Sequence, residues 1–295
     1  MLRICVIGGS RYFGKRLIRR LLAAGHDVTV VNRGLSAPPP VGARHLVADR
    51  DDEMALEKAL GPLAFDVVVD QVCYTPRQAD IARRVLGPRT RRYVMTSTVE
   101  VYEDEDSAAP VREEAVDPLT VPVDLDATDL PYGEGKRQAE AVFARDPDFP
   151  AYTAVRVAHV LGGADDFTGR VAHYADRIGA GKPISVPAPN RPATYIHVDE
   201  IADFLAWAAE ADFTGPVNAA SHGPLTTAAL CAAVEARVGG RTVFREVEEG
   251  EESPLSFRRA YAMDNSRATA LGFTFRHTGD WLERAIDETL GGVAV

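Results

Sequence analysis

"RICVIGGSRYFG", Arg3–Gly14, decides how the rest of the chain is read. The run "RICVI" has the length and continuous apolarity of a buried strand. Gly8 and Gly9 then open a turn, and Gly14 falls where the following helix must lie close to the sheet. A turn that brings backbone N–H groups up to a pyrophosphate needs glycine, because a Cβ would block the approach. Phe13, Leu17, Ile18, Leu21 and Leu22 recur at helical spacing, Gly25 closes that helix, and "DVTVVNR" (27–33) supplies the next strand. Strand, glycine turn, helix and strand in this order are the first half of a dinucleotide-binding unit.

The same alternation continues outward. "ARHLVAD" (43–49), "DVVVDQV" (66–72), "RRYVMTS" (91–97) and "AYTAVRVAHV" (151–160) read as strands, with helices near 52–60 and 76–86. Continuous apolar strands alternating with helices imply a parallel sheet covered on both faces. The fold class is therefore α/β, a doubly wound Rossmann sheet with a smaller C-terminal substrate-binding lobe. The expected division is a dinucleotide-binding domain over 1–160 and a substrate-binding lobe over 161–295, with segments such as 195–220 returning to the first. Residues 103–130 are acidic and proline-bearing and read as a long surface loop over the strand ends, its "EDED" (103–106) as solvated charge. Helices are expected near 166–180, 199–210, 226–238 and 279–290.

Composition bounds the partners. The chain has 295 residues, 46% of them hydrophobic, and a net charge of −10. No stretch reaches the ~20 apolar residues of a membrane helix, and the N-terminus enters a strand directly, so a cytoplasmic protein without membrane contact is expected. Cys5, Cys73 and Cys231 are odd in number and far apart, which fits a reducing compartment. No Cys or His pair has zinc-ligand spacing, so no metal is expected. Residues 1–100 hold 16 Lys+Arg against 10 Asp+Glu, and the remainder 17 against 33. A basic front half suits a phosphorylated cofactor, and the acidic remainder disfavours nucleic acid.

Cofactor contacts follow from position. Gly8, Gly9, Ser10, Arg11, Tyr12, Phe13 and Gly14 form the phosphate loop. An NAD site usually ends its second strand in Asp or Glu, which bonds the ribose 2′-hydroxyl. Here that strand ends in Asn32 and Arg33. An acid would repel a 2′-phosphate, whereas Arg33 and Arg11 would grip one with charge-assisted bonds. NADP(H) is therefore favoured and NAD(H) is the alternative; the bland reading has Arg11 over the adenine or paired with a surface acid. Asp49 either accepts from the adenine amino group or caps the helix that starts near Asp51. Cys73 and Tyr74 end the fourth strand, where backbone contact with the nicotinamide is expected, and Cys73 has no neighbour that would make its thiol a nucleophile.

The reactive groups come next. "LPYGEGKRQAE" (130–140) places Tyr132 four residues before Lys136, one turn apart on one helix face. "YVMTSTVEVY" brings Thr96, Ser97 and Thr98 to a carboxyl strand edge, where Thr96 and Ser97 are expected to contact the cofactor. Phenol, ammonium and hydroxyl together move a proton alongside a hydride. A free phenol titrates near ~10, and lowering it by ~3 units corresponds to ~4 kcal/mol, which Lys136 and an oxidised nicotinamide would supply. His159 at the mouth of the sheet is a substrate contact or a hydrogen-bonded structural histidine. Phe167, Tyr174, Phe257 and Tyr261 line an apolar substrate pocket or are core; His197 is read as structural.

Taken in order, "VIGGSRYFG", "VADRDD", "DVVVDQVCY", "MTSTVEVY", "YGEGK", "VRVAHVLGG", "YIHVDEIADFL" and "DNSRATALGF" resemble the short-chain dehydrogenase/reductase superfamily. The likeness is to its extended and atypical branch of NAD-dependent epimerases and dehydratases, and it covers almost the whole chain. The resemblance implies Tyr132 as general acid/base, Thr98 as carbonyl anchor in preference to Ser97, and Lys136 as holder of the ribose hydroxyls that also depresses the tyrosine pKa. Nucleotide-sugar members carry Asn where this chain has His159. They also carry Arg where it has Ala193, with Arg191 two residues earlier behind a proline. These departures weaken the sugar-nucleotide reading and leave hydride chemistry untouched, and the favoured reading is an NADP(H)-dependent ketoreductase acting on a small organic substrate. The alternatives are a nucleotide-sugar epimerase or dehydratase and, from another class, a non-catalytic nucleotide- or RNA-binding protein. His159, Arg191 and Phe167 are the expected substrate contacts; the oligomeric state stays open, with a homodimer through helices flanking the sheet as one reading.

Overall fold

A computed structural model describes residues 1–105, 107 and 109–292. Asp106, the last residue of the acidic "EDED" run, lies outside the described residues. The first half of the chain runs β1 (Arg3–Ile7), α1 (Tyr12–Ala23), β2 (Asp27–Asn32), β3 (Arg44–Val47), α2 (Glu53–Leu60), β4 (Phe65–Asp70), α3 (Pro76–Leu86), β5 (Thr90–Thr98), α4 (Tyr132–Ala144) and β6 (Ala151–Val157). It continues with β7 (His159–Leu161), α5 (Arg170–Gly179), β8 (Ile184–Val186), β9 (Tyr195–His197), α6 (Val198–Glu210), β10 (Gly215–Ala219), α7 (Thr227–Val238), β11 (Phe244–Glu246), α8 (Ser266–Ala270) and α9 (Leu282–Gly292).

The central sheet has seven strands in the order β10-β6-β5-β4-β1-β2-β3. The pairs from β3 to β6 all run parallel, with Ile4 beside Val28 on one flank and Val67 on the other. Strand order reverses between β1 and β4, and in an open α/β sheet ligands bind beyond the carboxyl ends of the strands at such a switch point. This is the doubly wound sheet expected from the alternating pattern. Its strands are apolar on both faces because helices cover both. One buried layer joins Cys5, Ile7, Val68, Tyr93 and Met95 to Leu56, Ala79, Val85 and Phe143.

Contacts divide the chain into two compact units, 1–101 with 113–157 and 201–218, and 102–112 with 158–200 and 219–295. In the second unit Tyr174, Ile178, Leu230, Val234, Trp281 and Ile286 form a separate core. Two features differ from the sequence reading. The single strand expected over 151–160 breaks at Ala158: β6 stays in the large sheet, and β7 pairs with β9 in a two-stranded sheet. The 103–130 stretch is not simply a surface loop. Val111 is buried and exchanges backbone bonds with the 262–264 segment, with Val111 N donating to Ala262 O and Asp264 N to Val111 O. Glu113 and Val116 are buried as well, because the Arg156 guanidinium donates to both of their carbonyls and the Glu113 carboxylate accepts from Asn218 N.

Candidate active site

The glycine loop adopts the geometry its residues permit. Gly8 and Gly9 have φ of +88° and +75°, where a side chain would be strained. At Gly14 an added Cβ would lie 2.7 Å from Gly9 Cα and 2.2 Å from Gln71 Oε1, so the loop closes on the helix only with glycine there. Tyr12 also has positive φ, +51°, although it is neither glycine nor asparagine and is almost fully buried. Strain of this kind persists where surrounding structure fixes it, and it clusters at ligand sites. Helix α1 starts with Arg11 as its N-cap, without a capping side-chain bond and without an acid in its first turn. Its leading N–H groups and the positive end of its dipole therefore suit an anion.

Asn32, at the end of β2, faces this loop. Its Nδ2 donates to Ser10 Oγ (2.9 Å), while its Oδ1 accepts from Gly34 N and pairs with the His45 ring (2.9 Å). Arg33 and Arg11 are exposed. Asp49 is exposed, and its carboxylate accepts from Asp51 N. The cap of α2 itself is Asp52, which accepts from Ala55 N.

Beyond β4 the chain is held by a buried carboxylate. Asp70 accepts from Arg50 Nη1 (2.6 Å), from the Tyr93 hydroxyl (2.5 Å) and from Val72 N. That anchoring presents Gln71 to the glycine loop and Tyr74 to α4. Gln71 Nε2 is a buried donor with no partner among the described residues. Leaving such a group unpaired costs ~1–3 kcal/mol, so it reads as a ligand contact. Neither Gln71 nor His45 stands out in the sequence: the signal for Gln71 is its place directly after β4, and His45 lies inside β3 beside the end of β2. The cradle closed by glycine, the uncapped helix start and the orphaned Gln71 donor together fit a dinucleotide.

Tyr132 opens α4 and is half exposed, whereas Lys136, one turn on, is buried. The lysine Nζ donates to Thr96 O (2.7 Å) and stands 5.9 Å from the Tyr132 ring centroid. Burial pushes the Lys136 ammonium down to about 8. Thr98 ends β5, and its Oγ1 accepts from Glu100 N. Thr96 Oγ1 is buried without a partner among the described residues. Ser97 points the other way: its hydroxyl donates to Glu140, which is ion-paired with buried Arg156 (2.7 Å). Ser97 therefore braces the sheet against α4, its hydroxyl proton given to Glu140. Cys73 is buried, and burial pushes its thiol up to about 12, so it stays protonated.

In the second unit His159 stacks on Phe257 (4.7 Å, 9°) and meets Tyr261 edge-on (5.6 Å). Burial and the Arg170 charge push its imidazole down to about 3, and its Nε2 has no partner among the described residues. Arg191 is exposed and joins the same cluster through its backbone N, which donates to Phe257 O. Phe167 is exposed, and Ala193 is buried. His197 is fully buried between Glu288 (3.1 Å) and the Arg284 guanidinium (3.1 Å). His197, Asp199 and Glu288 could together face a cation, but Arg284 already supplies positive charge to all three.

A doubly wound sheet with a glycine cradle at its switch point and a tyrosine–lysine pair beside it defines the class of extended short-chain dehydrogenases and reductases. The chain belongs to the NAD dependent epimerase/dehydratase family, whose family model matches residues 4–220. It is 26% identical over 220 residues to the chloroplast stem-loop binding protein of 41 kDa b of Arabidopsis thaliana, covering 68% of this chain and 53% of that protein. It is 30% identical over 128 residues to 2′-dehydrokanamycin reductase of Streptomyces kanamyceticus, covering 41% of this chain and 36% of that one. The chain thus spans about half the length, or less, of these curated relatives. Among solved structures, UDP-glucose 4-epimerase of Thermotoga maritima superposes with a TM-score of 0.76 at 19% identity, over 99% of this chain and 100% of that one. The dTDP-glucose 4,6-dehydratase of Bacillus anthracis gives 0.76 at 13% identity, over 99% and 97%. At those identities the likeness establishes the fold. No helix among the described residues is long and apolar enough to cross a membrane.

Proposed function

We propose that the chain is an NADP(H)-dependent oxidoreductase that reduces a carbonyl group on a small organic substrate. The observation that carries this reading is the Tyr132–Lys136 pair, with its phenol half exposed and its ammonium buried one turn behind. Gly8, Gly9, Ser10, Tyr12, Phe13 and Gly14, with Gln71, would hold the pyrophosphate and its surroundings; Arg11 and Arg33 would take a 2′-phosphate, and Asp49 the adenine side. Thr96, Cys73 and Tyr74 would border the nicotinamide end. When bound, the cofactor supplies the hydride. The protein supplies the proton: Tyr132 donates it to the developing alkoxide, Thr98 Oγ1 orients the carbonyl oxygen, and the Lys136 charge favours release of the phenolic proton. His159, Arg191 and Phe167 are proposed as substrate contacts of the second unit.

Nucleotide-sugar epimerisation or dehydration is the second reading. It is favoured by the likeness to a UDP-glucose 4-epimerase solved with UDP-glucose. His159 and Ala193, standing where nucleotide-sugar members carry Asn and Arg, argue against it. The two readings separate in one assay. A reductase oxidises NADPH stoichiometrically with a ketone panel, prefers NADPH to NADH, and is indifferent to added UDP or dTDP. In the same assay Tyr132→Phe should lose ~10²–10⁴-fold in kcat. Turnover without net NADPH loss, blocked by UDP, would reject reduction in favour of epimerisation.

A further inference from the structure

We infer that Tyr74 is a positioning residue for the Tyr132–Lys136 pair: the face of its ring caps the Lys136 ammonium and holds it against the carbonyl of Thr96. The inference rests on the reading of Tyr132 and Lys136 as the proton-handling pair, and it adds a side-chain role to a residue otherwise expected to contribute only backbone.

The geometry is specific. Lys136 Nζ lies 4.6 Å from the centroid of the Tyr74 ring, nearer than the 5.9 Å to the Tyr132 ring, and within the range of a cation–π contact. The two phenol rings are themselves 6.2 Å apart at 48°. The ammonium is therefore bounded by the Thr96 carbonyl and the Tyr74 ring, with Tyr132 beside them.

The ring is fixed from both ends of its residue. Tyr74 N donates to Gln78 Oε1 (2.7 Å), and Gln78 Nε2 donates in turn to Asp51 (2.8 Å). The Tyr74 carbonyl presses on α4 at Gly135, where an added Cβ would stand 2.5 Å from the oxygen. Glycine is a poor residue for a helix interior, so its presence there is explained by the close approach of Tyr74. Thr75 caps α3 directly afterwards, with Pro76 in its first turn. The backbone that carries the ring is therefore held in place.

A quadrupole can act on Lys136 because the ammonium itself is buried, even though the Tyr74 ring is 42% exposed. Facing the ammonium are the Thr96 carbonyl from β5, Asp70, Cys73 and Tyr74 from the β4 end, Arg50 from the β3–α2 connection, and Glu140 on α4 itself. Burial lowers the affinity of the amine for its proton, and the negative ring face opposes that trend. Burial also raises the Tyr74 phenol above its ordinary value, so the ring remains neutral and acts as a π-face rather than as a base.

The chain contains only four lysines, Lys15, Lys58, Lys136 and Lys182, so each ε-CH₂ can be followed by NMR in the whole protein labelled with ¹³C-lysine. In the native protein the Lys136 ε protons should be shifted upfield by the Tyr74 ring and should titrate near pH 8. Tyr74→Phe should preserve both signals. Tyr74→Leu, which removes the π-face but keeps the site apolar, should abolish the ring-current shift and lower the titration midpoint by about one pH unit. Gly135→Ala, which displaces the Tyr74 carbonyl, should weaken the ring-current shift without touching either side chain. Lys136 ε protons at ordinary positions in the native protein would overturn the inference, as would a Tyr74→Leu midpoint that stays or rises. The native spectrum decides the geometry even if a variant fails to fold. These readouts need neither cofactor nor substrate, so an absence of NADPH binding would count against the oxidoreductase reading alone.

Discussion

Lys136 carries the charge on which the proposed proton transfer depends. Its burial removes water from the ammonium and brings its pKa to about 8, against 10.5 for an ordinary lysine. Below that value the charge is present and favours the tyrosinate; above it the amine is neutral and the assistance disappears. Carbonyl reduction should therefore fall as pH rises through about 8, and Lys136→Met should remove that limb from the pH–kcat profile while lowering kcat throughout. His159, with its imidazole at about 3, should add no limb near neutrality. Tyr132 and Lys136 were legible in the sequence because helical spacing alone fixes their common face. Ser97 and Tyr74 were not. Whether a strand-end hydroxyl turns inward to Glu140, or a ring turns over a lysine, depends on partners distant in the chain.

At the level of elements, the glycine loop and α1 were readable because their conformational demands are local. The prediction there is correspondingly sharp. Gly14→Ala forces a Cβ to within 2.7 Å of the Gly9 backbone, so NADPH affinity should fall at least ~10-fold and the thermal midpoint should drop. Affinity and melting temperature both unchanged would contradict the loop's assignment. The joint between β6 and α4 is of a different kind. Arg156 and Glu140 are both buried and ion-paired, and Arg156 also ties down the carbonyls of Glu113 and Val116. Glu140→Gln leaves a buried guanidinium underpaired and should cost roughly 3–5 kcal/mol in urea denaturation. Replacing both residues with apolar groups should cost less than the two single changes summed. This network also explains the part of 103–130 that departs from the surface-loop reading. Acidic, proline-bearing composition suggests a solvated loop, but nothing local announces that an arginine 40 or more positions later will draw Glu113 and Val116 into the interior. The break at Ala158 was hidden for a similar reason, since "AYTAVRVAHV" holds no glycine or proline to mark a boundary and only tertiary pairing separates β6 from β7.

Across the whole molecule, the doubly wound sheet was legible from strand–helix alternation, and membership of the epimerase/dehydratase family follows from a match over residues 4–220. The family admits reduction, epimerisation and dehydration on one fold, so the choice among them rests on the residues around the reacting centre. Here those residues are a buried ammonium, a half-exposed phenol and a strand-end threonine, in the same compact unit as a glycine cradle. The most direct test is a crystal structure of the protein with bound NADPH. The account predicts the nicotinamide beside Tyr132, with its ribose hydroxyls within hydrogen-bond reach of Lys136 Nζ, about 3 Å, and the 2′-phosphate against Arg33 or Arg11. A nicotinamide lodged elsewhere, with Tyr132 facing away from it, would contradict the account.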